Sequence, residues 1–284
     1  MHATTADRDA LAPVTVIEAR SGYHRLGVSQ IWEYRHLLWF LVLRNLRARY
    51  RSTLLGRLWI VLRPALLSVV YVIVFGALLK VDSHPFPYPV FVFAGIVVFS
   101  FFASAVTETA HSLINSYSII SKVYYPRLIV PLTAVVGNGV DLVATMAIVG
   151  LTMAVYGVAL NRWAIVLVPL ILVAITLLTL ALGLILAAAA VKVRDILVAL
   201  PVVMRVVIYT MPATYPVSVI PERFRPLYYL NPMSALLQGF RWALMNDAPP
   251  PVWALAWAIA LSIAALLCGL YWFSRVERTM VDVL

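Results

Sequence analysis

Four ionisable side chains fall within or beside long apolar runs: Arg63, Glu108, Asp141 and Arg205. A charge near the centre of a membrane-spanning helix costs at least about 2.5 to 3.5 kcal/mol, so such residues usually face a bundle interior or a watery path. Arg205 carries the most pointed chemistry. A fixed cation among Pro201, Pro212 and Pro216 suits an anionic or phosphate-bearing substrate, and a structural ion pair with Asp141 is the competing reading. Asp141 sits beside Gly137, Asn138 and Gly139, a cluster that equally fits helix packing through small residues. Arg63 and Glu108 lie near the ends of their runs, where long side chains can snorkel to the headgroups.

Other chemistry lacks its apparatus. No G-x-x-x-x-G-K-[ST] loop surrounds Lys80, Lys122 or Lys192, so the chain is not expected to carry a P-loop ATPase site. H-E-x-x-H and G-x-S-x-G are missing too, and His2, His24, His36, His84 and His111 are scattered. A single cysteine, Cys268, permits no intrachain disulfide. No catalytic residue, metal site or bound cofactor is expected. A membrane-embedded transferase would need convergent carboxylates or a histidine, and only Glu108 and Asp141 offer any.

The elements that must position these residues follow from composition. Of 284 residues, 63% are hydrophobic and 12% charged, and mean hydropathy is +0.94. That excess over a soluble domain has to face lipid. Six stretches meet the roughly 20 apolar residues a spanning helix needs: Leu58 to Leu79, Pro89 to Thr107, Ile129 to Gly157, Ala164 to Ala190, Leu197 to Pro216 and Val252 to Phe273. The fifth is interrupted by its prolines and by Arg205. Lys and Arg fix the orientation: 15 of the 22 fall before the first span, between the second and third, between the fourth and fifth, or after the last. Both termini are therefore expected in the cytosol. The polar stretch Met1 to Ser29 has no signal-peptide core and is expected to be retained. A net charge of +10 sits beside membrane segments, where anionic headgroups account for it without nucleic acid.

Three segments outside the spans are also informative. From Ser29 to Arg51, Trp32, Leu38, Trp39, Val42, Leu46 and Tyr50 recur at helical spacing among Arg35, Arg44, Arg47, Arg49 and Arg51. This predicts an amphipathic helix on the cytosolic membrane surface, either a plain anchor or a docking surface. Between His111 and Arg127, Leu113, Tyr117, Ile120 and Tyr124 form one apolar stripe, ending at Pro126. That stripe packs on the chain's own helices or inserts into a groove of another subunit. Val217 to Pro251, 35 residues rich in proline and aromatics, is too long for a simple turn. Helical character from Met233 to Leu244 predicts short helices dipping back toward the membrane, as at a pore mouth, with a disordered loop as the alternative.

From about Ile31 to the C-terminus the chain resembles the permease subunit of type-2 ABC exporters for polysaccharides and polyol phosphates, the branch that exports O-antigen, capsule and teichoic acid. The resemblance is carried by WEYRHLLWFLVLRNLRARYRSTLLGRLWIVLRPAL at Trp32 to Leu66, INSYSIISKVYYPRLIVPL at Ile114 to Leu132, and YPVSVIPERFRPLYYLNPMSALLQGFR at Tyr215 to Arg241. VKVRD before the fifth stretch and the tail RVERTMVD fit as well.

The resemblance implies an all-α integral membrane protein of the bacterial inner membrane. It comprises a polar tail (1–28), an interface helix (29–57), a six-span permease domain (58–273) and a cytosolic tail (274–284). It further implies a homodimer, with two copies of a separate cytosolic ATP-binding subunit that carries the ATP and Mg. Contacts to that subunit fall to Arg35 and Arg47 and to the coupling segment Ser112 to Tyr124 with its surroundings: Tyr117, Ile120, Lys122, Tyr124 and Arg127. The periplasmic gate falls to Pro221, Phe224, Tyr228, Tyr229, Asn231 and Pro232.

The substrate so implied is a glycan on an undecaprenyl-type lipid, whose diphosphate Arg44, Arg47, Arg51 and Arg57 could collect. Along the path, Tyr71, Phe75, Phe99, Phe102 and Tyr209 are candidates beside Arg205, because flat rings stack on sugars while tolerating sliding. Lipid-facing or core packing is the alternative for each ring. An ABC permease for drugs, ions or small lipids is the rival function.

Overall fold

Proline and charge decide where this chain runs on as helix and where it breaks. The computed structural model describes residues 32–50, 54–83, 85–115 and 125–283, and every regular element among them is helical. Helix α1 (Arg35–Tyr50) is followed by a short 3-10 turn and α2 (Trp59–Tyr71), which widens into a π turn at Val72–Leu78. Then come α3 (Tyr88–Asn115), α4 (Ile129–Val155), α5 (Ala164–Ala190) and α6 (Asp195–Val207). The last three are α7 (Arg225–Tyr229), α8 (Pro232–Met245) and α9 (Val252–Val283).

Five helices among the described residues are long and apolar enough to cross a membrane: Gly56–Leu78, α3, α4, α5 and Val252–Val276. The expected fifth span, Leu197 to Pro216, needs correction, because it is no single long helix. Its helix, α6, has 13 residues, tightens into a 3-10 turn at Ile208–Thr210 and stops at Met211, which is extended at φ −137°, ψ 158°. The cause is local. A residue before proline is driven out of the helical region by the proline ring, and Met211 precedes Pro212.

α3 is the mast of the bundle. Val90, Phe91, Ile96, Phe99, Phe101 and Phe102 are buried on it, against Ile171 and Ile175 of α5 and Leu236 and Phe240 of α8. α3 and α5 run parallel, with Gly183 of α5 so close to Thr109 that an added Cβ would lie 2.5 Å from Cγ2 of the threonine. α9 runs parallel to α5 as well. Gly239 of α8 adjoins both Ile171 and Leu255, while Gly269, further along α9, adjoins Ala181 and Leu184. Two parallel neighbours need a return between them, and the chain from 191 to 251 makes it. Asp195 starts α6 just past the end of α5, whereas Thr214 accepts a hydrogen bond from Tyr88, the first residue of α3, at the opposite end (2.6 Å).

The expected single amphipathic stripe on α1 is split in two. Leu41 and Val42 are buried, with Tyr34, Leu37 and Leu38 half-buried, and this face packs on Tyr125, Ile129 and Val130 at the start of α4. On the other side Trp32, Trp39 and Phe40 are exposed. Successive helical residues are about 100° apart, so the adjacent Leu38 and Trp39 necessarily serve different faces.

Candidate functional site

Two of the four charges flagged by the sequence, Glu108 and Asp141, meet in the half of the bundle that α1 packs against. In the last turn of α1, Arg49 projects its guanidinium between α3 and α4. Nη1 donates to Asp141 of α4 at 2.8 Å, and Nη2 donates to Glu108 of α3. Asn138, one turn before Asp141, donates from Nδ2 to the same Glu108 oxygen at 2.7 Å and to the Ala134 carbonyl at 2.8 Å. All four side chains are buried or half-buried. A guanidinium fork suits two carboxylates held at a fixed separation, and charge-assisted bonds of this kind are roughly twice as strong as neutral ones. The arrangement therefore fixes three helices in one register.

This corrects two expectations. Asp141 pairs with Arg49 rather than with Arg205, which stands exposed on α6. Glu108 turns inward to Arg49 and Asn138 instead of snorkelling. Gly137 and Gly139, read as packing notches, have open space where a Cβ would go. Arg63 is exposed and lies over the Trp59 ring at 5.9 Å, as a snorkelling cation does. The sequence offered Arg49 only as one of several arginines on a surface helix.

At the other end a second arginine organises the segment between α6 and α9. Arg241 of α8 is 1% exposed, stacks over Phe91 at 3.6 Å and donates from Nη2 to the Ala213 carbonyl at 2.9 Å. Burial lowers its pKa to about 10, so it stays cationic at neutral pH. Gly95 makes the approach possible, since an added Cβ would lie 2.3 Å from the Ala213 oxygen and 2.5 Å from the guanidinium. The residues just past the end of α6 are thereby pinned to both α3 and α8.

The expected gate residues line this segment. Asn231 caps α8, accepting from the Met233 amide at 3.1 Å and donating to the Thr210 carbonyl at 3.3 Å, with Pro232 at the first helical position. Tyr229 is buried, donates to Gln238 and meets Trp253 edge-on at 6.1 Å. Tyr228 donates to the Tyr215 hydroxyl at 3.3 Å. Pro221 and Phe224 are exposed, Phe224 beneath the Arg223 guanidinium at 4.6 Å.

Of the rings assigned to a path, the structure gathers three. The Tyr71 hydroxyl donates to that of Tyr209 at 3.3 Å, bridging α2 to the end of α6, and Phe75 lies 5.5 Å from the Tyr71 ring. Phe99 and Phe102 are buried in the core of α3. Arg35 and Arg47 are exposed on α1, and Arg127 is half-buried at the foot of α4. Tyr117, Ile120, Lys122, Tyr124 and Arg51 lie outside the described residues. An open bowl of about 850 Å³ beside α8 is lined by Phe86, Tyr156, Trp163 and Trp242 together with Asn161 and Arg162.

Comparison with known proteins places this geometry. A family model described as ABC-2 type transporter matches residues 36–245. The chain is 32% identical over 241 residues to the O-antigen export system permease protein RfbA of Myxococcus xanthus, which covers 84% of this chain and 92% of that protein. Two proteins of the same description from Klebsiella pneumoniae are 28% and 26% identical over 203 residues, 72% of this chain and 78% of each.

Proposed function

The chain belongs to the ABC-2 type transporter family, and from that membership we propose that it is the membrane permease of an exporter for lipid-linked O-antigen or a related surface glycan. The observation that carries the substrate is the 32% identity to an O-antigen export permease across 92% of that protein's length. The family's permease is a transport subunit rather than an enzyme, and it binds no cofactor of its own. Transport is driven by a separate ATP-binding subunit.

In this reading six crossings alternate, with both termini in the cytosol of a bacterial inner membrane. Five are the long helices; the other is the chain from Asp195 to about Thr214. This count is supported by the parallel course of α5 and α9, and by Lys192 and Arg194 standing on the side opposite Arg162. Two copies form the pathway and two ATP-binding subunits dock on the cytosolic face. Arg35, Arg47 and Arg127 contact them, with Tyr117, Ile120, Lys122 and Tyr124 on the coupling segment between α3 and α4. ATP-driven closure moves those contacts, the outer segment from Pro221 to Pro232 yields, and the glycan slides past Tyr71, Phe75 and Tyr209, with Phe99 and Phe102 behind them. Arg205, exposed on α6, faces the path and meets the anionic groups of the substrate. The undecaprenyl-type carrier enters from the cytosolic leaflet along Arg44, Arg47, Arg51 and Arg57.

Deleting the gene in its native host and fractionating the surface glycan tests this function. Lipid-linked glycan should accumulate inside the cell while the surface is bare. Unchanged surface glycan would make an ABC permease for drugs, ions or small lipids the better account.

A further inference from the structure

The two surfaces assigned to the ATP-binding subunit, the arginine face of α1 and the segment between α3 and α4, are far apart in sequence, and nothing in their own composition ties them together. Arg49 does. One guanidinium reaches Glu108, about two turns before the end of α3, and Asp141, more than three turns beyond the start of α4. Those helices flank the coupling segment on either side. We infer that Arg49 is the positioning residue that makes α1, α3 and α4 respond as one body, so that force applied at either contact surface reaches the pathway. The inference rests on the exporter reading above.

The alternative link between α1 and the bundle is the apolar contact of Leu41 and Val42 with Ile129 and Val130. Such contacts are non-directional, and sliding by part of a turn costs them little. A fork bonded to two carboxylates on different helices has no such freedom, because each bond requires both distance and angle. Asn138 locks the geometry further by bonding the Glu108 oxygen that Arg49 uses. Departure of the guanidinium would cost both acids a charged partner, which disfavours any arrangement in which it leaves. The cluster lies between the coupling segment and the middle of α4, and it shares no residue with the Tyr71–Tyr209 pair of the path.

The test uses the full complex with its ATP-binding subunit in proteoliposomes, supplied with the lipid-linked glycan that accumulates in the deletion strain. ATP hydrolysis and glycan delivered to the opposite face are measured together. Arg49→Ala is expected to lower glycan delivered per ATP by about tenfold, in the range of mutational effects on coupling between sites, while hydrolysis persists. Arg49→Lys should restore only part, since a point charge cannot hold two carboxylates in the fork geometry. Because Arg49→Ala removes the cation bonded to both acids, a triple variant, Arg49→Met with Glu108→Gln and Asp141→Asn, removes the clamp together with its charges. It should be equally uncoupled. Delivery per ATP at the wild-type ratio in the triple variant would overturn the inference. Failure of all three variants to assemble would overturn it too, making the cluster a folding determinant. A wild-type complex that hydrolyses ATP and moves no glycan would instead sink the exporter reading.

Discussion

At the scale of single residues, the two ends of the bundle are each organised by an arginine, and by what surrounds it. Arg241 is tolerated in the interior because Phe91 offers a ring face and Ala213 a carbonyl, and because Gly95 leaves room. Gly95→Ala should therefore be damaging. Its methyl would meet backbone, which cannot rotate away, and overpacking of this kind costs about 1–3 kcal/mol; thermal unfolding in detergent should show the loss. Gly139→Ala provides the contrast, since nothing lies within 4 Å of its added Cβ. There the gain in helix propensity, up to about 1 kcal/mol, is unopposed, and the transition should hold or rise. The sequence placed Glu108 and Asp141 correctly as costly charges that need a reason. It could not name their partner, because Arg49 lies 59 and 92 residues away in the chain and reads locally as one more surface arginine.

Among the elements, legibility followed the source of the helical signal. α5 was readable to the residue, Ala164 to Ala190, because an uninterrupted apolar run leaves no other structure available in lipid. The short helix α8 was readable for a different reason, a proline at its start and helical spacing inside it. α6 was over-extended, since the hydropathy of Leu197 to Pro216 is the same whether the chain is helical throughout or breaks at Met211. α1 was over-simplified, because a helix with apolar residues on two faces mimics one broad stripe. Its inward face can be tested alone. Leu41→Asp places a carboxylate in the apolar contact with Ile129 and Val130. It should loosen α1 and expose Arg44 and Arg47 to limited trypsin digestion while the five long helices stay inserted. Resistance equal to wild type would show that the apolar contact contributes little and that Arg49 alone holds the helix.

For the whole molecule, the decisive relation is that α5 and α9 run the same way. Reporter fusions at the two termini should both read as cytosolic, and a reporter inserted between Val155 and Ala164 as external. A C-terminal reporter on the outer side would reduce the crossings to five and leave α6 as a surface helix. The same topology bears on how the protein is made. A chain leaves the ribosome from its N-terminus, so Arg49 is at the membrane surface before either acidic helix exists. α3 and α4 then enter as a hairpin, each bringing a carboxylate into the bilayer at a cost of about 2.5 to 3.5 kcal/mol at mid-depth and less toward the interface. In the proposed topology that cation is already on the cytosolic side, and it gives both acids a partner on arrival. Arg49 lies 59 and 92 residues ahead of the acids it bonds and is placed to receive them as they insert.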